Sequence, residues 1–237
     1  MTVPCPVVEL RQYTLYPGRR DELIALFERE FVETQEAEGM TLIGQFRDLD
    51  APDRFVWLRG FPDMVARKTA LEAFYTGPAW QAHRSAANAT MIDSNDVLLL
   101  RPLDDAPGFR LSERGPRGAA GPGPGAAIMG VHRLDGPDDA LPARFRADLA
   151  PRLNAAGLAP AAVLATEAAA NTFPGLPVRE GETVLVWIAV VTDVAAADAA
   201  LSAARADPAL TALLAAPLQL MRLQPTARSR LRGSIPG

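Results

Sequence analysis

The chain has 237 residues, 49% hydrophobic and 22% charged, the balance of an ordinary globular protein. Its net charge of −4 argues against a nucleic-acid partner, which would need a basic stripe to displace counterions. No run approaches the roughly 18 apolar residues of a membrane span, so no membrane partner is expected.

The first strand signal is VVELRQYT, where Val8 and Leu10 alternate with Glu9, Arg11 and Tyr13. Tyr16-Pro17-Gly18 breaks it. A helix follows over RRDELIALFEREFVETQEAEG, with Leu23, Ile24, Phe27 and Phe31 as its apolar side and Gly39 as its stop. TLIGQFRDL and DRFVWLRGF predict a hairpin around the turn-rich Asp50-Ala51-Pro52-Asp53. Pro62-Asp63 opens a second helical stretch, interrupted at Thr76-Gly77-Pro78 and resumed by AWQAHRSAANATM. DVLLLRPL reads as a fourth strand covered on both faces.

Residues 104–125 (DDAPGFRLSERGPRGAAGPGPG) are too rich in Gly and Pro to support a core and read as a linker. AIMGVHRL then predicts a strand and LPARFRADLAPRLNAAG a helix. LAPAAVLATEA and TVLVWIAVV predict two strands separated by the long loop NTFPGLPVREGE. Ala195 to Ala216 predicts a helix with Leu201, Leu210, Leu213 and Leu214 as its apolar residues, and PLQLMRLQ a last strand. The tail TARSRLRGSIPG reads as frayed and basic.

The two halves therefore carry one pattern twice: strand, helix, strand, strand, helix, strand. FVWLRGFPD answers VLVWIAVVTD, aligning Trp57 with Trp187 and Asp63 with Asp193; LLLRPL answers QLMRLQ, aligning Arg101 with Arg222. A unit of this kind cannot bury both sheet faces alone, so two in one chain are expected to pack on each other. The domains are then residues 1–103, the linker 104–125, and a diverged second unit 126–237. The expected assembly is a monomeric pseudo-dimer or a homodimer of it.

VVELRQYTLYPGRRDEL, FVWLRGFPDM and AFYTGPAWQAHRSAANATMIDSNDVLLLRPL together resemble the NIPSNAP family, within the dimeric α/β-barrel (ferredoxin-like) superfamily. The resemblance covers residues 7–103; the second half has no counterpart of Tyr75, Trp80 or His83. It implies an α+β fold, two tandem ferredoxin-like units forming an intramolecular dimeric α/β-barrel with an enclosed interior. The superfamily holds cofactor-independent monooxygenases, isomerases and cyclases, haem enzymes and plain binding proteins, so the fold alone does not settle function.

The residues suited to chemistry lie mostly in the first unit. Arg11 and Tyr13 share one strand face, where guanidinium and phenol would suit a carboxylate, enolate or carbonyl oxygen if that face lines the interior. A cross-strand salt bridge with Glu9 is the plainer alternative. His83 lies three residues after Trp80, on one helical face. It is open to three readings: helix packing, acid–base catalysis, or haem ligation. Tyr16 and Tyr75 sit at element ends where pocket rims form. Trp80, Asn88 and His132 complete the candidate ligand-binding set, although His132 is as well explained by a structural role. Trp57 and Trp187 are expected in the core.

Two distant histidines make no metal site, and GxSxG, Walker, CxxC and HExxH motifs are absent. Cys5 is the only cysteine, so no internal disulfide forms. The start MTVPCPVVELRQY lacks the regions of a signal peptide, and a cytoplasmic setting is expected. Lys68 is the only lysine among many arginines, which reads as base bias of a GC-rich bacterial genome. The expected function is an enzyme acting on a small apolar organic molecule in an enclosed pocket. It would work without a cofactor, by oxygenation, isomerisation or cyclisation, in the manner of secondary metabolism. The alternatives are a non-catalytic binding or assembly protein and a haem-binding member.

Overall fold

The computed structural model of the chain describes residues 2–103, 108–215 and 217–233, with side chains at all of these except 212–215. Leu213, Leu214 and the Asp104-Asp105 pair thus lie outside the described side chains. The first unit comprises β1 (Thr2–Val3), β2 (Val7–Leu15), α1 (Arg20–Leu26), α2 (Val32–Ala37), β3 (Thr41–Asp48), β4 (Arg54–Phe61), α3 (Met64–Thr76), α4 (Pro78–Asn88) and β5 (Met91–Pro102). After β6 (Phe109–Arg110) come β7 (Ala126–Arg133), α5 (Leu141–Arg144), α6 (Ala150–Ala155), β8 (Pro160–Thr166), β9 (Val184–Val191), α7 (Val194–Ala206), α8 (Pro208–Ala215) and β10 (Gln219–Pro225).

The duplication extends to local detail. Asp63 and Asp193 cap α3 and α7 in the same way, each carboxylate accepting a 2.7 Å hydrogen bond from the third residue on, Ala66 or Ala196. Each cap contributes about 1 kcal/mol. π-helical turns join α1 to α2 at Phe27–Phe31 and α5 to α6 at Phe145–Leu149. Gly39 stops the first of these helices at φ +87°, where a side chain would be strained. The last helix is shorter in the second copy, 8 residues in α8 against 11 in α4.

Eight strands close into one barrel in the order β10-β3-β4-β2-β5-β8-β9-β7, with β7 pairing back to β10. The units meet at two antiparallel seams, β5 with β8 and β10 with β3. Alternation along each strand sends one set of side chains inward and the other under the helices. The inward set, including Val8, Leu10, Phe46, Leu58, Met129, Val186 and Met221, is fully or almost fully buried and forms one apolar cluster. The expected enclosed chamber is therefore a packed core: these side chains are large enough to meet across a barrel of eight strands. The outward sets form two further cores, one beneath each unit's helices.

Three expectations are corrected by this packing. The linker is not merely a spacer: Phe109 and Leu111 join the barrel core, and β6 pairs with β1. The tail is not frayed over its described part. Thr226, Arg228, Ser229 and Leu231 are buried, the Arg228 guanidinium pairs with Glu33, and the Leu231 amide donates to Ile43 O at 2.9 Å. A basic sequence reads as solvated until acidic helix residues come to face it. The register, finally, pairs Glu9 with Leu99 and Ile128 with Arg222, so Arg222 matches Leu99 rather than Arg101. Among the described residues no helix is long and apolar enough to cross a membrane.

Candidate functional site

The outward face of β2 and β4 carries residues of two kinds. Toward one end lie aromatics. Tyr13 packs edge-on against Trp57 with ring centroids 5.8 Å apart, and Phe27 meets Trp57 at 4.8 Å. Phe31, at the end of the π-helical turn, touches Phe74 and Trp80, and Tyr75 closes on Trp80 at 4.9 Å. These rings, with Gln35 and Met91, enclose a void of about 30 Å³. A void of that size admits water.

Toward the other end the sheet buries charge. Glu9 Oε2 accepts from Arg11 Nη1 and Arg59 Nε, each at 2.8 Å, and its Oε1 accepts from Arg67 Nε at 2.7 Å. All four residues are at most 1% exposed. Burial alone would raise the Glu9 carboxyl, but Arg59, Arg11 and Arg67 outweigh it and hold the group well below the usual carboxylate range. Arg11 Nε also donates to the Tyr13 hydroxyl at 3.1 Å, and burial pushes that phenol up from its ordinary value. The guanidiniums of Arg11 and Arg59 lie 5.5 and 5.2 Å from the Trp57 ring, close enough for attraction to its π face.

The second unit supplies the roof. Its loop between β8 and β9 crosses to the first unit, where Phe173 stacks on Tyr75 with centroids 6.0 Å apart. Arg67 Nη1 donates to Asn171 Oδ1 at 3.0 Å and to Thr172 Oγ1 at 3.3 Å. Asn171 and Val178 also line an open cleft of about 680 Å³ over the β5–β8 seam, beside Leu99, Arg101 and Arg179. On the other side, Arg59 Nη1 donates at 2.9 Å to Gln35 Oε1, and Gln35 lines the aromatic void. The charged cluster thus links the two hollows by hydrogen bonds.

Of the residues expected at a site, Arg11, Tyr13, Tyr75 and Trp80 come together, but on the helix-covered face rather than in the barrel interior. The odd-numbered residues of β2 face out, a choice that alternation alone leaves open. His83 shares a helical face with Trp80, and both meet Phe31. Its Nε2 faces Glu30 at 3.5 Å, outside the void lining. Tyr16 is 51% exposed at the far end of β2, and Asn88 is exposed at the end of α4, so neither reaches the cluster. Glu9 as a hub, Arg59, Arg67, Gln35, Asn171 and Thr172 were missed. The available signal was charge at strand positions where the second copy is apolar.

His132 belongs to the other unit. It occupies the place of Tyr13, because β7 pairs Gly130 with Trp187 as β2 pairs Arg11 with Trp57. Its Nε2 accepts from Trp187 Nε1 at 2.9 Å. A Cβ at Gly130 would lie 2.5 Å from that indole nitrogen, so glycine makes room for the pair. Burial lowers His132 from 6.5 to about 4, so it is neutral in the fold and takes a proton more readily when unfolded. Its contribution is whole above its ordinary value and is lost as pH falls from 6.5 to about 4. At most about 3 kcal/mol of stability is expected to go in that window. Chemical denaturation across it checks this: His132→Asn should flatten the slope, and an unchanged slope would place the titration elsewhere.

The fold is a two-unit ferredoxin-like barrel, α+β, with this site on its outward face. The NIPSNAP family model matches residues 8–107, that is, the first unit and a few residues beyond it. No curated protein matches the chain in sequence. Among solved structures, a NIPSNAP-like domain protein from Burkholderia xenovorans is 27% identical over 44% of this chain and 90% of its own, with a TM-score of 0.40. A NIPSNAP family protein from Agrobacterium tumefaciens is 24% identical over 43% of this chain and 96% of its own, with a TM-score of 0.40. A protein described as "Putative monooxygenase" from Fusobacterium nucleatum aligns over 97% of this chain and 96% of its own, 9% identical, with a TM-score of 0.55. That last likeness extends the fold, and only the fold, to both units.

Proposed function

We propose that the chain is an enzyme acting on a small, largely apolar organic molecule at the helix-covered face of its first unit. The observation that carries this reading is the buried Tyr13 phenol, held by Arg11 on the wall of an aromatic hollow beside three guanidiniums. Donors fixed in this way stabilise an enolate or phenolate oxygen as charge develops on it. Oxygenation, isomerisation and cyclisation each have routes through such an oxygen. Entry is by the rim where Phe173, from the loop that also walls the seam cleft, stacks on Tyr75, since the void itself is too small for an organic ligand. The second reading is a binding protein without catalysis, favoured by the closed state of that rim.

Titration with 1-naphthol, followed by tryptophan emission, tests both. Quenching through Trp57 and Trp80 is expected, together with dioxygen uptake that falls about 10²–10³-fold in Tyr13→Phe while binding is kept. Quenching without turnover selects the second reading. No quenching overturns both.

A further inference from the structure

The charged cluster is out of balance. Among the described residues Glu9 is the one carboxylate paired with Arg11, Arg59 or Arg67, so three buried cations share a single negative charge. Its unused hydrogen-bonding atoms are all donors. Arg67 Nη2, Arg59 Nη2 and Trp57 Nε1 are buried without an acceptor, and all three residues are at most 1% exposed. Arg59 Nη2 does lie 2.7 Å from Glu9 Oε2, close enough to pair as charges but without hydrogen-bond alignment. Buried donors and unpaired buried cations are both costly, and a structure retains them where something else supplies the lone pairs and the charge. A neutral water provides lone pairs alone.

The second unit gives an internal comparison, because it builds the same layer from the same fold. Register with Trp187 places Ile128 where Glu9 stands, Gly130 where Arg11 stands, and Ala189 where Arg59 stands. The common Asp caps place Ala197 where Arg67 stands. Trp187 has its indole N–H accepted by His132, whereas the matching Trp57 donor is open. The fold therefore closes this face without any charge, and neither the barrel nor the helix layer requires the cluster. The roof is equally suggestive. Asn171 and Thr172 offer Arg67 neutral oxygens, from a loop that also forms the wall of the 680 Å³ cleft.

We propose that the cluster is a carboxylate-binding site: an organic acid enters from the seam cleft and places its carboxylate on Arg67 and Arg59, displacing Asn171 and Thr172. The acid's apolar body lies in the seam cleft, along Leu99 and Val178. Two parallel N–H groups of a guanidinium match the two oxygens of a carboxylate, a fit that a neutral hydroxyl does not reproduce. Entry requires the segment around Asn171–Phe173 to lift, which breaks the Arg67 contacts, the 3.2 Å bond from Thr172 Oγ1 to Met64 O, and the stack on Tyr75. This inference rests on the small-molecule reading above and names the class of ligand.

The test compares 1-naphthoate with 1-naphthol on the full chain, by calorimetry and tryptophan emission. Naphthoate is expected to bind at least about tenfold tighter, a difference of the size a charge-assisted pair supplies. Arg67→Gln should abolish that preference. Because Arg67→Gln changes a buried residue, Asn171→Asp provides the second arm: it sets a carboxylate of the chain's own beside Arg67 and should weaken naphthoate while leaving naphthol unaffected. Equal binding of the two probes overturns the carboxylate site and leaves the small-molecule reading standing. Undiminished naphthoate binding in Asn171→Asp also overturns it. Failure of both probes to bind removes the reading on which it rests.

Discussion

Glu9→Gln is expected to destabilise the fold by about 3–5 kcal/mol, because it leaves Arg11, Arg59 and Arg67 facing one another with no carboxylate between them. Loss of one arginine is expected to cost less, since two cations still share the carboxylate and the repulsion among them falls. Urea denaturation of Glu9→Gln and Arg67→Gln side by side measures the order. If Arg67→Gln is the more damaging, the cluster is not overcharged. The pH dependence follows from the same contacts. The Glu9 carboxyl is depressed, so its contribution is whole above its unfolded value of about 4.3 and is lost progressively as pH falls below that. Glu9→Gln should remove this acid limb and leave the His132 limb, which lies between 6.5 and about 4, in place.

Residues 1–103 expressed alone are expected to form a homodimer or to aggregate. Without the second unit, Val8, Leu10, Ile43, Phe46, Val56, Leu58, Leu98 and Leu100 would present one apolar sheet face to water. The edges of β5 and β3 would also lose their partners β8 and β10. Because the two seams are equivalent about a pseudo-two-fold axis, β5 of one copy can pair with β3 of another, and a symmetric dimer restores both. Sedimentation velocity distinguishes the outcomes: a stable soluble monomer would show that the inward face does not need covering. The loop that roofs Arg67 belongs to the second unit, so such a dimer would lack it, and the cluster would be open to solvent.

Much of the fold was legible because it rests on local signals. Glycine at positive φ, Asp caps before each α3-type helix, and period-two alternation act within a few residues, and the pattern repeats where Trp57 and Trp187 anchor it. The alignment of Arg101 with Arg222 failed because two Leu-rich strands can slide by two residues and keep the same faces inward. Pairing with β2 and β7 fixes that register.

The site was legible only in part. Composition and pattern placed Arg11 and Tyr13 on one strand face, gathered Tyr75 and Trp80 at one helix junction, and marked the first unit as the one with polar chemistry. They did not say which strand face looks inward, since an apolar set at Val8 and Leu10 and a mixed set at Glu9, Arg11 and Tyr13 are both compatible with burial. Closure of the barrel decided it, because Val8 and Leu10 join the apolar cluster that fills its interior. Closure also brought Arg59 and Arg67 onto Glu9 from β4 and α3, and laid Asn171 of the other unit across them. Those partners lie far from Glu9 along the chain, and no local periodicity encodes a contact between elements that meet only when the two halves pack together.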